Sequence, residues 1–330
     1  MRILVTGTAG FIGLHLTDRL LRDGHDVTGL DNFNPYYSVQ LKRDRLQLLE
    51  RAHGASGRFA FHEADICDLP ALTRIFDACR PDCVVHLAAQ AGVRYSIDHP
   101  FSYQKANLEG FLNMLESCRN APAKPRLVYA SSSSVYGGNK QLPFSEDQAV
   151  DHPVSLYAAT KKANELMAHA YSHLYGLQTI GLRFFTVYGP WYRPDMALYL
   201  FADAMSQGRP IKVFNHGEMW RDFTYIDDIV EGVVRCVTGS GFDRYEVLNI
   251  GNNTSEKLMD MIAILASELG VTPKLELLPM QDGDVPATWA NIDRLKAKTG
   301  YTPATSIRAG IPKFAAWYKS YVLRHPVPGC

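Results

Sequence analysis

The chain has 330 residues, of which 46% are hydrophobic and 21% charged, an ordinary profile for a globular protein of one or two domains. Its 34 basic and 34 acidic residues balance, so global charge does not favour a nucleic acid or a membrane surface as a partner. The sequence contains no apolar run long enough for a membrane span and no leader segment, and its six cysteines lack metal-type spacing. These features predict a cytoplasmic protein with reduced thiols.

The first predicted unit is a strand, a glycine-rich turn and a helix. Residues 2–6 form a short apolar run, and apolar residues recur at helical spacing through Leu21. Gly7, Gly10 and Gly13 lie between the two, with the spacing GxxGxxG. Glycines permit a tight turn and a close approach of the backbone, and the start of a helix favours an anion. The unit therefore predicts a site for the pyrophosphate of a dinucleotide.

A second predicted strand covers residues 27–30 and ends at Asp31. A carboxylate at this place can accept hydrogen bonds from the ribose of adenosine. It would also repel a 2′-phosphate, so NAD is favoured over NADP. The alternative is an aspartate that only closes a turn at the end of a strand.

Three further strands are predicted at residues 58–62, 82–86 and 126–131. The alternation of strands and helices predicts an α/β fold with a doubly wound parallel Rossmann sheet, whose ligand lies at the carboxyl ends of the strands. Asp65 follows one such end, where it could meet an adenine amine. The residues expected around the dinucleotide are Gly7, Gly10, Phe11, Ile12, Gly13, Asp31, Asn32, Asp65, Ile66, Leu87, Ala88, Ala89 and Gln90, together with Tyr157 and Lys161.

Tyr157 and Lys161 are four residues apart in a segment that is predicted to be helical. Residues at positions i and i+4 share one face of a helix, so both side chains can point into one site. A neighbouring ammonium favours the phenolate and is expected to lower the pKa of Tyr157. Tyr157 could then accept a proton from a sugar or alcohol hydroxyl. Taken alone, the same spacing also occurs by chance on many helices.

In combination, Gly7, Gly10, Gly13, Asp31, Ser132 and the Tyr157–Lys161 pair resemble the extended short-chain dehydrogenase/reductase family. The resemblance is closest to its NAD-dependent nucleotide-sugar epimerases and dehydratases, and it runs from Gly7 to Asp284. It implies that NAD is the cofactor and that Ser132, Tyr157 and Lys161 are the catalytic residues. It further implies that Lys161 also holds the nicotinamide ribose.

Four segments are similar to one subgroup, the UDP-glucuronic acid 4-epimerases, which make UDP-galacturonic acid. They are residues 31–37, 90–96, 184–196 and 280–285. This resemblance implies a UDP-sugar substrate. The residues that it places around the substrate are Arg94, Ser132, Ser133, Thr186, Arg193, Val213, Arg221 and Asp284.

The chemistry of a uronic acid gives Arg193 a specific expected role. Oxidation at C4 produces a β-keto acid that is prone to lose carbon dioxide, so an epimerase must hold the carboxylate still. A guanidinium binds a carboxylate bidentately, which makes Arg193 the candidate clamp, and Thr186 could donate a second hydrogen bond. The alternative for Arg193 is an arginine of a surface loop. Residues 132–134 are all serine, without a carboxylate for acid/base chemistry at C5, and this favours epimerisation.

From about residue 178 the pattern becomes rich in loops and predicts a smaller α/β domain that binds the UDP-sugar. We expect the NAD-binding domain to comprise residues 1–180, with about 222–250 returning to it. The UDP-sugar domain would comprise residues 181–221 and 251–330. Within that domain, a strand at 211–214 could offer backbone groups to uracil. Gln281 stands where the UDP-galactose 4-epimerase pattern has an arginine, so other groups must meet the diphosphate.

Several alternatives stay open at this stage. UDP-glucose or UDP-N-acetylglucosamine could be the substrate of a sibling 4-epimerase, and Thr288 is small enough to leave room for an acetamido group. A non-catalytic NAD-binding scaffold protein is a more remote alternative. The family resemblance also implies a homodimer through helices near residues 101–119 and 156–175. The eleven histidines form no pattern that predicts a metal site.

Overall fold

Seven parallel strands form the central sheet of the computed structural model, which describes residues 1–280 and 285–323. The strands of this sheet are β1 (Arg2–Thr6), β2 (Asp26–Asp31), β3 (Phe59–Glu63), β4 (Cys83–His86), β5 (Arg126–Ser132), β6 (Thr179–Phe184) and β11 (Tyr245–Ile250). Their order across the sheet is β11-β6-β5-β4-β1-β2-β3. Strand β1 pairs with both β2 and β4, so the direction of winding reverses beside it. A crevice at this switch point is where doubly wound sheets bind their ligands.

Helices flank the sheet. They are α1 (Phe11–Arg22), α2 (Val39–His53), α3 (Leu69–Cys79), α4 (Tyr95–Asp98), α5 (Pro100–Tyr103), α6 (Gly110–Asn120), α7 (Leu156–Tyr175), α8 (Ala197–Ser206), α9 (Ile226–Thr238), α10 (Leu258–Leu269), α11 (Asp293–Thr299) and α12 (Ile307–Trp317). Every residue of β4 and β6 is buried, as expected for strands that are covered on both faces. The predicted doubly wound parallel sheet is confirmed.

The segment at residues 101–119, expected to be helical, is helical but not α-helical throughout. Between α5 and α6 the chain forms a π-helical segment, Gln104–Glu109. Asn107, in that segment, accepts a hydrogen bond from the amide of Gln90 (2.8 Å) and donates one to its carbonyl (3.0 Å). Such bulges are frequent where a helical side chain must reach a functional loop. Here the wider helical turn orients the Asn107 side-chain amide toward Gln90, in the loop that follows β4.

The second half of the chain adds three small sheets near the carboxyl edge of the large one. Strand β7 (Thr186–Tyr188) pairs with β10 (Phe223–Tyr225), β8 (Ile211–Val213) with β13 (Leu275–Leu277), and β9 (Trp220–Arg221) with β12 (Glu256–Lys257). Strand β11 returns to the large sheet beside β6. Throughout residues 1–280 and 285–323, no helix combines the length and the apolar character that a membrane span requires.

Candidate active site

One cavity of about 700 Å³ lies along the carboxyl ends of the central strands and extends beneath the small sheets. Most of the residues that the sequence singled out line this cavity. They are Gly7, Gly10, Phe11, Ile12, Gly13, Asp31, Asn32, Asp65, Ile66, Leu87, Ala88, Ala89, Gln90, Ser132, Ser133, Tyr157, Lys161, Thr186, Arg193 and Arg221. The fold therefore brings residues from all parts of the chain to one site.

The glycine-rich turn has the shape that a pyrophosphate needs. Gly7 has a φ of +75°, and a Cβ on it would lie 2.9 Å from the amide nitrogen of Ala88. A Cβ on Gly13 would lie 2.0 Å from the carbonyl oxygen of Gly7, so the turn and α1 pack without room for a side chain. The amides at the start of α1 have no partner within the helix and line the cavity at Phe11 to Gly13. The residues present therefore fit a dinucleotide pyrophosphate.

The ends of β2 and β3 supply a set of oxygen acceptors on one side of the turn. The Asp31 carboxylate accepts hydrogen bonds from the amides of Ala9 (3.1 Å) and Phe33 (2.9 Å). Asp65 accepts one from Asn32 (3.1 Å). Burial would raise the pKa of Asp65, but the Cys67 amide and Asn32 together lower it below the ordinary value. Both carboxylates are thus fixed in position and can accept further hydrogen bonds from a ribose or an adenine.

Tyr157, Lys161 and Ser132 face one another across the end of β5. The Lys161 ammonium lies 6.0 Å from the centre of the Tyr157 ring and donates to the carbonyl of Ala130 (2.8 Å). Burial raises the pKa of Tyr157 above its ordinary value, and a hydrogen bond with Ser132 and the charge of Arg193 offset this in part. The groups that lower this pKa are Ser132 and Arg193 rather than the expected Lys161, and burial outweighs them. Burial also lowers the pKa of Lys161 to about 8.

A buried ion pair joins helix α7 to β6, and a hydrogen bond joins the same helix to the end of β5. Glu165, one turn beyond Lys161, binds Arg183 through Nε (2.8 Å) and Nη2 (2.9 Å). The same carboxylate accepts a hydrogen bond from Ser131 (2.7 Å), the neighbour of Ser132. A buried bidentate pair of this kind fixes the position of the Glu165 carboxylate relative to the Arg183 guanidinium. The bond to Ser131 ties the end of β5, beside Ser132, to the helix that carries Tyr157.

On the sugar side, Thr186 and Arg193 enter the cavity from the segment after β6. Thr186 begins β7, where its amide donates to the carbonyl of Asp222 (3.2 Å). The Arg193 guanidinium forms a bidentate pair with Asp195, with Nε and Oδ1 3.0 Å apart. The Tyr36 hydroxyl donates to the same carboxylate (3.0 Å). Arg193 is thus an ordered, nearly buried side chain rather than the surface-loop arginine of the alternative interpretation.

Four predicted substrate residues remain: one lines the cavity, two lie outside its lining and one falls outside the described residues. Arg221 lines the cavity and donates to the carbonyls of Trp220 (2.9 Å) and Pro286 (3.2 Å). Arg94 is exposed beyond the cavity lining, 5.4 Å from the centre of the Phe214 ring. Val213 is buried outside the lining, and its carbonyl accepts from Leu278 (2.9 Å), which leaves less of its backbone for a uracil. Asp284 lies outside the described residues.

The structure adds residues that the sequence analysis missed. Arg45 is fully buried and donates to the carbonyl of Ala9 (3.1 Å) in the glycine-rich turn. It also donates to the carbonyls of Trp191 (2.6 Å) and Tyr192 (3.2 Å), just before Arg193. Its place in the charged run of α2 gives no signal of burial. Tyr36 and Asp195 were missed as well, since their contact spans 159 residues of sequence.

Within residues 1–280 and 285–323, no three histidine, cysteine or acidic side chains are grouped closely enough to hold a metal ion.

Residues 3–251 match the NAD dependent epimerase/dehydratase family. The chain is 48% identical to UDP-glucuronate 4-epimerase 2 of Arabidopsis thaliana over 97% of its own length and 76% of the relative. It is 46% identical to a probable UDP-glucuronate 4-epimerase of Rhizobium meliloti, covering 96% of this chain and 97% of the relative. Among solved structures it resembles the UDP-glucuronic acid 4-epimerase of Bacillus cereus in complex with UDP-glucuronic acid and NAD. That likeness has a TM-score of 0.89 at 34% identity and covers 97% of this chain and 99% of the other.

Proposed function

Since the chain belongs to the NAD dependent epimerase/dehydratase family, we propose that it inverts C4 of UDP-glucuronate to give UDP-galacturonate. The relatives that are named UDP-glucuronate 4-epimerases share nearly half of its residues over almost its whole length. The activity for which these relatives are named supports the proposed C4 inversion. The side chains that line the cavity support UDP-glucuronate as the substrate.

One observation carries the proposal: Tyr157, Ser132 and Lys161 line the same cavity as Arg193 and Thr186. The first three can move a proton at a sugar hydroxyl, and the last two can hold a carboxylate. The serine run offers no acid that could carry an elimination at C5, because positions 132 to 134 are all serine. A site with these groups favours oxidation and reduction at one carbon without loss of a substituent.

The residues of the chain would divide the chemistry as follows. Bound NAD supplies the acceptor and donor of hydride at C4, held by the glycine-rich turn, Asp31 and Lys161. In its phenolate form Tyr157 accepts the proton of the C4 hydroxyl and becomes a phenol, and Ser132 donates a hydrogen bond to the reacting oxygen. After the oxidised sugar has turned its other face to the cofactor, Tyr157 returns a proton and C4 is inverted.

The carboxylate at C5 makes the oxidised sugar a β-keto acid. Carbon dioxide leaves only when the bond to the carboxyl carbon lines up with the C4 carbonyl π-system. A guanidinium that fixes the carboxylate plane opposes this alignment, and Arg193 is placed for that role. Thr186 would add a hydrogen bond from its hydroxyl.

We place the UDP part of the substrate near Arg221, with Asp284 as a further partner for its ribose. The division into an NAD-binding domain (1–180 and about 222–250) and a UDP-sugar domain (181–221 and 251–330) is part of the proposal. The position of β11 in the large sheet supports the returning segment. The cytoplasmic location predicted from the sequence stays a prediction.

We also propose a homodimer through the helices near 101–119 and 156–175. Five large apolar side chains on them are exposed: Phe101 (82%), Leu112 (41%), Leu156 (40%), Leu166 (59%) and Leu174 (65%). A second copy of the same face would bury them. Light scattering of the purified chain should give twice its mass, and Leu166→Arg should give the monomer. A monomeric parent would contradict the proposed homodimer and would leave the proposed C4 inversion unaffected.

The experiment that tests the reaction is incubation of the purified protein with UDP-glucuronate, without added NAD, followed by proton NMR of the sugar. We expect signals of UDP-galacturonate, because no net oxidation occurs and cofactor retained through purification suffices. Formation of UDP-xylose or a UDP-4-keto-pentose would contradict the carboxylate clamp. No change with UDP-glucuronate, together with conversion of UDP-glucose or UDP-N-acetylglucosamine, would establish the neutral-sugar alternative.

A further inference from the structure

Arg193 already has a carboxylate partner within the protein. Asp195 binds its guanidinium through two atoms, Nε and Nη2, on one edge of the group. The side chains of Arg193 and Asp195 are only 21% and 10% exposed. Arg193 lines the cavity and Asp195 does not, so the carboxylate lies behind the guanidinium as seen from the substrate.

The edge of Arg193 that carries Nη1 is available to a ligand. Within the described residues, the structure gives Nη1 no hydrogen-bond partner. A guanidinium has five N–H donors in one plane, so it can bind Asp195 on one edge and a second carboxylate on another. The geometry thus allows both carboxylates at once.

Asp195 is ionised beside Arg193. Burial alone would raise the pKa of Asp195, but the charge and hydrogen bonds of Arg193 and the Tyr36 hydroxyl lower it below the ordinary value. The pair is therefore neutral as a whole. A substrate carboxylate would meet hydrogen-bond donors on Arg193 but little net positive charge.

This arrangement suits a site that must release the group it holds. In the proposed reaction, which this inference deepens and on which it rests, the oxidised sugar has to turn over between the two hydride transfers. Its C5 carboxylate must leave its first position and settle in another. A lone buried guanidinium would hold that carboxylate strongly, because leaving would strand an unpaired charge in a poorly solvated place.

We propose that Asp195 attenuates the hold of Arg193 on the substrate carboxylate, so that the sugar can turn without stranding the guanidinium. Asp195 acts through Arg193 and is a positioning residue that also tunes charge. The proposal predicts that removing its charge strengthens the binding of a uronic acid and slows turnover. A role limited to holding Arg193 in place predicts the opposite change in binding.

The test compares Asp195→Asn with the parent for two substrates. Binding is measured by calorimetry in a Tyr157→Phe background, where no turnover disturbs the titration. We expect the dissociation constant for UDP-glucuronate to fall roughly tenfold, about the contribution of one charge-assisted hydrogen bond. The constant for UDP-glucose should change less than twofold. With Tyr157 present, Asp195→Asn should lower kcat for UDP-glucuronate roughly tenfold because release of the carboxylate becomes slow.

Asp203→Asn provides a matched control, since Asp203 pairs with Arg209 on the protein surface. It should leave both substrates unaffected. Weaker binding of UDP-glucuronate by Asp195→Asn, or an equal change for UDP-glucose, would overturn the proposal. A parent protein that does not convert UDP-glucuronate would instead defeat the proposed function, which keeps the two failures distinct.

Tyr36→Phe tests the same idea if Asp195→Asn fails to fold. The Tyr36 hydroxyl donates a hydrogen bond to the Asp195 carboxylate. Without this bond the carboxylate would interact more strongly with the Arg193 guanidinium. We expect UDP-glucuronate to bind roughly threefold more weakly, with no change for UDP-glucose. Unchanged or tighter binding of UDP-glucuronate would count against attenuation.

Discussion

The dinucleotide side and the sugar side of the cavity are built in different ways. On the dinucleotide side, short runs of sequence follow the ends of neighbouring strands, as at Gly7 after β1 and Asp31 at the end of β2. Parallel strands place these ends at one edge of the sheet, so the fold alone brings them together. On the sugar side, Thr186, Arg193 and Arg221 come from loops and small sheets. Arg221 donates to the distant Pro286, and the Asp195 that binds Arg193 is itself bound by the distant Tyr36.

The contrast shows which kind of information each side needs. A glycine or a strand-end carboxylate works through the backbone position, which an apolar run and a turn already determine. A clamp such as Arg193 works through the direction of a long side chain, which Asp195 and Tyr36 fix. Arg45 joins the two sides, because it binds the glycine-rich turn and the carbonyls before Arg193 at once.

Tyr157 lies where the two sides meet. Its substitution should abolish most of the turnover while leaving cofactor binding intact. Tyr157→Phe keeps the ring and removes the oxygen that exchanges the proton, so we expect turnover to fall ~1,000-fold. The content of bound NAD, measured by absorbance after denaturation, should not change. Tyr175→Phe, at the far end of the same helix, is the control and should be fully active. Near-normal turnover in Tyr157→Phe would refute the assignment of the base.

Arg45→Met should break both sides together. The substitution keeps most of the apolar volume but leaves the carbonyls of Ala9, Trp191 and Tyr192 without their donor. We expect a loss of about 3 kcal/mol in the free energy of unfolding. Affinity for both NAD and UDP-glucuronate should fall. Arg51→Met, on an exposed turn of the same helix, should change neither, and a loss confined to one ligand would show that Arg45 does not couple the two sides.

The sequence predicted the dinucleotide side well, because that side depends on backbone positions at the ends of strands. The strands were predicted to within one or two residues, because apolar runs that end at glycine or aspartate leave little freedom. Position alone could not give the pKa of Tyr157, which depends on burial, on a hydrogen bond with Ser132 and on the charge of Arg193. The partner of Asp195 at Tyr36 was equally invisible, since only the finished fold brings them together.

Arg193→Ala should damage the sugar side alone. Without the guanidinium the C5 carboxylate loses a bidentate partner, and kcat/KM for UDP-glucuronate should fall roughly 100-fold. A fraction of the product should have lost carbon dioxide, detectable as a pentose by NMR. Binding of UDP-glucose and the content of NAD should stay as in the parent. Arg209→Ala, which breaks an exposed arginine–aspartate pair, is the control. Equal losses of kcat/KM for UDP-glucuronate and UDP-glucose in Arg193→Ala would show that Arg193 does not act by holding the carboxylate.

The smallest expected effect concerns Lys161, which belongs to both sides. Burial lowers its pKa to about 8 from 10.5, so between these values the unfolded chain binds more protons than the folded one. Stability carried by this group must therefore rise with pH, by about 2 kcal/mol between pH 7 and 9.5. Lys161→Met removes the titrating group. Between pH 7 and 9.5 the unfolding free energy of the parent should therefore rise by about 2 kcal/mol more than that of the variant. Lys162→Met, the adjacent lysine, should keep the pH profile of the parent. A difference between the parent and Lys161→Met that stays constant across this range would mean that the ammonium is as well solvated in the folded protein as in the unfolded chain.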